Sequence, residues 1–284
     1  MRIANPLVAL SLLAGLLAGC GESGPPASAA AGSPAAKGPS AQAPAAKPAT
    51  PAASDGPTGL TIAAAASLRE LLEGTQAAFA AAHGGAKLQI SFDASSTLSR
   101  QIEQGAPFDV FLSADADSVD RLAASVKADT RRVFLSNRLA LVGRSDLPPP
   151  APSGPAELVG TKLTIAMAGP AVPAGKYTRA YLTQHALLAE LEPRVVTADT
   201  VKAALALVEA GTADCGFVYV TDAHAAKNAQ LLWTAPPEDD PGIAYVAVQV
   251  AASQAPLAPE LLDWLLGAEF QKAAQELGFL PPNP

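Results

Sequence analysis

The chain has 284 residues, a formal charge of −7, and 49% hydrophobic residues with 26 prolines and 22 glycines. Its basic residues are scattered, with no patch or stripe, which argues against a nucleic-acid partner. Of its two cysteines, Cys20 and Cys215, one falls in the first twenty residues. The rest of the chain therefore has no intrachain disulfide framework.

The first element is an apolar run, Leu7 to Leu17, preceded by Arg2. It is shorter than the ~20 apolar residues a membrane-spanning helix needs and has the proportions of a secretory signal. It ends in "LLAGC", with small residues Ala18 and Gly19 before Cys20. That ending resembles the lipobox of bacterial lipoproteins, which implies a signal peptide over residues 1–19, cleavage before Cys20 and acylation of Cys20. Several acyl chains, at ~0.8 kcal/mol per buried CH₂, make a stable anchor. Residues 20–57 are almost entirely Ala, Pro, Gly and Ser with a few lysines. Such a composition buries no core, and the segment reads as a disordered tether spanning roughly 30–37 Å as a coil.

The remaining body, about 227 residues, alternates short apolar runs with helical patterns. Residues 60–66 and 87–92 read as strands. Between them Leu68, Leu71, Leu72 and Phe79 share one helical face. A strand follows at 108–114, then a long strand or a pair at 132–144, then a proline-rich break at 145–155. The pattern resumes with a strand at 162–168, a helix at 175–185, a strand at 194–198 and a helix at 200–211 that Gly211 stops. Strands follow at 215–220, 231–235 and 243–251, and two helices close the chain. Cys215 sits in an apolar run and reads as a buried structural thiol. Alternation of this kind implies an α/β fold with parallel sheets and covered faces, in two blocks divided near residue 144. Ligands of such folds sit beyond the carboxyl ends of strands, where helices begin.

Four of those junctions share a chemistry. Ser67 precedes the first helix with Glu70 three residues on, the spacing of a capping box. Ser95, Ser96 and Thr97 open the next helix, where one serine is expected to cap it and another to face a ligand. In "AVPAGKYTRA" Pro173 suits a helix start and Gly175 allows close backbone approach. In "TADTVKAALAL" Asp199 or Thr200 is the N-cap before Val201. Hydroxyls and free helix N–H groups together suit an anion. A dry site made only of donors also rejects an anion that still carries a proton, because that proton lacks an acceptor.

At these junctions "AAASL", "SSTLSRQIEQGAPFDVFLSAD", "VPAGKY", "VKAALALVEAG" and "GFVYVTDA" occur in the same order as in the periplasmic molybdate-binding proteins of ABC importers. The resemblance covers residues 58 to 284. It implies a two-lobed periplasmic-binding-protein fold of class α/β, each lobe a mainly parallel sheet flanked by helices, with a two-stranded hinge. Lobe 1 would comprise 58–140 and 242–284, and lobe 2 would comprise 141–241. It also implies a monomeric, non-enzymatic protein of the periplasm that holds molybdate or tungstate and passes it to an inner-membrane ABC permease. Molybdenum would be held as the oxyanion, with no cofactor and no cation site. Carried over by motif, the oxyanion ligands are Ser67, Ser95, the amides of Ala174 and Val201, and Tyr219. Ser96 stands in reserve, because Asp93 and Ala94 depart from the family's longer serine run.

A sulfate or other oxyanion carrier is the nearest alternative. A secreted serine hydrolase is the alternative of a different class. It would need a base beside Ser67 or Ser95, and the chain has only His83, His185 and His224, with no G-x-S-x-G elbow.

Overall fold

The computed structural model describes residues 59–239 and 241–282. The expected signal peptide, Cys20 and the tether lie outside the described residues. The first lobe opens with β1 (Gly59–Ala65), which passes through a 3-10 turn at Ala66–Leu68 into α1 (Arg69–Ala82). There follow β2 (Lys87–Asp93), α2 (Ser95–Glu103), β3 (Val110–Ser113), α3 (Ala116–Asp120) and β4 (Arg132–Ser136). The chain then enters the second lobe with β5 (Leu139–Arg144), β6 (Ile165–Ala168), α4 (Pro173–Gln184), α5 (Leu188–Leu191) and β7 (Val195–Ala198). That lobe continues with α6 (Val201–Glu209), β8 (Cys215–Tyr219), α7 (Val220–Ala225) and β9 (Ala229–Thr234). The chain returns through β10 (Ala244–Gln249) and ends in α8 (Leu257–Trp264) and α9 (Ala268–Glu276).

Each lobe is built on a five-stranded sheet, ordered β2-β1-β3-β10-β4 in the first and β7-β6-β8-β5-β9 in the second. In each sheet one strand is antiparallel to both its neighbours and the other four point one way. The odd strand is the one that has just arrived from the other lobe: β5 wedges between β8 and β9, and β10 between β3 and β4. The hinge is therefore an exchange of strands. Ser136 Oγ donates to the Ile243 carbonyl at 2.7 Å, tying the outgoing crossing to the returning one.

The first crossing falls at Asn137–Arg138, not after residue 140 as expected. Leu139 and Ala140 pair with Tyr219 and Val218 of the second sheet. Residues 132–144 hold no glycine or proline before Gly143, so nothing local divides the run. Asn137 and Arg138 lie between the two strands, and Asn137 Oδ1 accepts the Arg138 N–H there at 2.9 Å.

Both faces of the first sheet are covered, and β10 shows why its sequence is apolar throughout. Tyr245 and Ala247 join the main core, while Val246 and Val248 join a second cluster with Leu98, Ile102, Phe111 and Val119. Leu68, Leu71, Leu72 and Phe79 are all buried, as their helical spacing implied. Cys215 is fully buried, and burial pushes its thiol up to about 12, which keeps it an inert thiol. α6 ends where expected. Gly211 takes φ +71° and donates to the Val208 carbonyl at 3.0 Å, closing the helix in the left-handed conformation glycine favours.

Candidate functional site

The carboxyl ends of the six strands that pair in parallel, β1, β2 and β3 in one sheet and β6, β7 and β8 in the other, meet between the lobes at one small pocket. Its wall includes Ala66 and Ser67 after β1, Asp93 to Ser95 at the end of β2, and Ala114 after β3. The second lobe supplies Val172 to Ala174 after β6, Thr200 and Val201 after β7, and Tyr219 at the end of β8. The space left for the centre of a water-sized sphere is ≈ 20 Å³. About 10–15 Å³ on that measure holds one water, so the site fits a compact group of few atoms and excludes a sugar or peptide.

The structure brings Ser67, Ser95, Ala174, Val201 and Tyr219 into this one wall and leaves Ser96 outside it. Ser96 is buried one position further along α2. Thr200, Asp93 and Ala114 also line the pocket. The chemistry pointed to Thr200 as a cap: its Oγ1 accepts the Ala203 N–H at 3.0 Å, a bond worth ~1 kcal/mol to a helix.

Two expectations about the serines are corrected. Ser67 does not cap α1. It lies within the 3-10 turn, the N-cap position is Leu68 with no side-chain cap bond, and Glu70 does not reach back. Glu70 Oε1 instead accepts from Lys202 of the second lobe at 3.0 Å. Nor does either serine cap α2, whose N-cap is Ala94 without a side-chain cap bond. Ser95 Oγ accepts the Ala114 N–H from the end of β3 at 2.9 Å. In both cases a tertiary partner took the group that local spacing offered to a cap.

The consequence for the pocket is that its hydroxyls are presented as donors. Ser67 Oγ accepts from the Tyr245 hydroxyl at 3.0 Å and Ser95 Oγ accepts from Ala114, so each keeps its own proton uncommitted. The Tyr219 hydroxyl is buried and makes no hydrogen bond to the protein. Burial, with Tyr245, Tyr177 and the buried carboxylates beyond them, pushes its pKa well up, so it stays a neutral donor. The first-turn amides of α4 and α6, those of Ala174 and Val201 among them, have no acceptor within their helices. Pro173 at the first position of α4 spends no N–H there. Gly175 lets this helix end sit against β6: a Cβ at that position would lie 2.1 Å from the Ala168 carbonyl oxygen and 2.2 Å from that of Gly169.

No lysine or arginine side chain lines the pocket among the described residues. Two lysines stand just behind it, in the first turns of α4 and α6, and both cross to the first lobe. Lys176 pairs with Asp117 and lies 3.7 Å from Asp115. Lys202, besides Glu70, lies 3.1 Å from Oδ1 of the fully buried Asp222, a charge contact without hydrogen-bond alignment. Burial alone would lower the Lys202 pKa, but Asp222 and Glu70 outweigh it and hold the ammonium above its ordinary value. Burial pushes the Asp222 carboxyl up against the pull of Lys202, and its Oδ2 accepts the Tyr219 N–H at 3.1 Å. The lone carboxylate on the wall, Asp93, turns one oxygen onto the Ala94 N–H at 2.7 Å.

None of the three histidines lines the pocket. His83 caps the C-terminus of α1 beside Glu260, His185 packs on Tyr181 near Asp239, and His224 lies in α7 against Gly278. Ser67 and Ser95 therefore have no histidine base.

This geometry agrees with what the chain resembles. Residues 60–280 match the family of bacterial extracellular solute-binding proteins. The chain belongs to that family. This solute-binding protein is 32% identical to the molybdate-binding protein ModA of Escherichia coli (strain K12), over 78% of this chain and 88% of the relative. It is 31% identical to a putative ABC transporter substrate-binding lipoprotein, YvgL, of Bacillus subtilis (strain 168), over 78% and 85% of the two chains. Among solved structures, the periplasmic molybdate-binding protein of Azotobacter vinelandii superposes with a TM-score of 0.71 at 25% identity, covering 79% of this chain and all of that one. The expected α/β two-lobed architecture is the fold these proteins share.

Proposed function

We propose that this protein captures molybdate or tungstate between its two lobes outside the cytoplasm and delivers it to an inner-membrane ABC permease. It acts as a monomer, held to the membrane through acylated Cys20 and the tether of residues 20–57, and carries out no chemical reaction on its ligand. The observation that carries this reading is a small pocket between the lobes in which three hydroxyls, Ser67, Ser95 and Tyr219, and the first-turn amides of α4 and α6 are offered as neutral donors, with Asp93 the one charged side chain on the wall. Charge-assisted bonds from neutral donors hold a fully ionised oxyanion without a salt bridge. Such a wall disfavours phosphate, which keeps a proton at neutral pH, and the relatives' names supply the metal. Sulfate has the same charge and shape but is smaller, so discrimination against it rests on the fit of the pocket. A hydrolase reading is left without its base.

Thermal unfolding with a panel of oxyanions tests the proposal. A ligand at 1,000 times its dissociation constant adds ~4 kcal/mol of stability, a midpoint rise on the order of 8–16 °C for a body of this size. The expected result is a rise of that order with molybdate and tungstate, and little with sulfate or phosphate. A rise with sulfate alone would keep the site and change the cargo. No rise with any oxyanion would overturn the proposal.

A further inference from the structure

Two buried side chains behind the pocket, Asn137 and Tyr245, belong to no motif and were not expected to matter. Both are fully buried, one at the outgoing crossing of the hinge and the other in the returning strand β10. The orientation of the Asn137 amide is settled by its surroundings. Its Oδ1 accepts the Arg138 N–H at 2.9 Å, so its NH₂ end faces the other way. That end donates to Thr221 Oγ1 in the second lobe at 3.0 Å and to the Tyr245 hydroxyl at 3.4 Å. An amide NH₂ donates and never accepts. The Tyr245 hydroxyl therefore cannot give its proton to Asn137, and gives it to Ser67 Oγ at 3.0 Å. Ser67 receives from behind and has its own proton left for the pocket it lines.

We propose that Asn137, Tyr245 and Ser67 form a one-way hydrogen-bond relay that fixes the Ser67 hydroxyl as a donor toward the anion. Asn137 and Tyr245 are then positioning residues for the specificity of the site. The relay deepens the capture reading and rests on it. Successive donors in a chain polarise one another, and the direction of this chain is set at its far end by a group that cannot accept. Burial pushes the Tyr245 pKa up, in keeping with a hydroxyl that stays protonated. A free Ser67 hydroxyl, by contrast, can rotate and offer a lone pair, which welcomes a protonated anion.

The test measures molybdate and phosphate affinities by calorimetry for the wild type, Tyr245→Phe, Ser67→Ala and the double variant. Tyr245→Phe is expected to weaken molybdate binding about tenfold, to narrow the ratio of molybdate to phosphate affinity, and to add nothing in the Ser67→Ala background. An undiminished effect of Tyr245→Phe without Ser67, or no effect with it, would overturn the relay. If Tyr245→Phe does not fold, neutron diffraction from deuterium-exchanged wild-type protein decides. A Tyr245 deuteron on the line to Ser67 Oγ supports the relay, and one on the line to Asn137 overturns it. A wild type that binds no molybdate would fail the capture reading instead, and the deuteron position would still judge the relay.

Discussion

Tyr219→Phe is expected to weaken molybdate binding by roughly ten- to a hundredfold without lowering the unfolding midpoint of the ligand-free protein. The two halves of this expectation have one cause. The hydroxyl makes no hydrogen bond to the protein in a residue that is 1% exposed, so folding gains nothing from it. A bond from such a group to an ionised oxygen is worth ~1.5–3 kcal/mol, and each 1.4 kcal/mol is about tenfold in affinity. The ring stays in either variant, keeping its edge contact with Tyr245 at 6.2 Å between centroids. Calorimetry and a melting curve on the same sample check it. Unchanged affinity would remove Tyr219 from the site, and a lowered midpoint would show that the hydroxyl serves the fold.

The second large effect is on stability. Gly175→Ala is expected to destabilise the protein by at least ~3 kcal/mol, the upper range for overpacking a close contact, and so to lower the midpoint by ~6–12 °C. The added Cβ would stand 2.1 Å from one backbone oxygen and 2.2 Å from another. Neither oxygen has a rotamer to move away in, so α4 itself must back off from β6. The amides of its first turn would leave the pocket with it, and molybdate affinity should fall too. Gly74→Ala in α1 is the control: nothing lies within 4 Å of its Cβ position, and alanine in a helix interior is favoured over glycine by ~0.5–1 kcal/mol. Its midpoint should hold or rise. Equal midpoints for Gly175→Ala and the wild type would contradict the close approach.

What could be read from the sequence was the chemistry that depends on neighbours in the chain. Pro173 at the start of α4, Thr200 before α6 and Gly211 after it carry short-range signals, and the structure places all three as those signals imply. The resemblance in motif order named five wall residues, and the pocket gathers all five. Three features were not legible, each because its partner lies far along the chain. Glu70 has the spacing of a capping box, but Lys202, 132 residues away, takes its carboxylate across the cleft. The serines that open α2 have the spacing of a cap, but neither caps it, and the Ser95 oxygen serves the strand end at Ala114. Tyr245 meets Ser67 across 178 residues and Asn137 across 108, distances over which no local pattern speaks. The crossing at Asn137 was hidden for a related reason. A strand leaving one sheet and a strand entering the next are both apolar, and they read as one run until their partners are known.

Diffraction from crystals grown with molybdate, recorded at the molybdenum absorption edge, tests the central claim most directly. One strong anomalous peak is expected in the pocket between the lobes. The surrounding oxygens should lie ~2.7–3.2 Å from the hydroxyls of Ser67, Ser95 and Tyr219 and from the amides of Ala174 and Val201. A molybdenum atom held elsewhere, or one bound through the ammonium of Lys176 or Lys202 in place of the neutral donors, would contradict it.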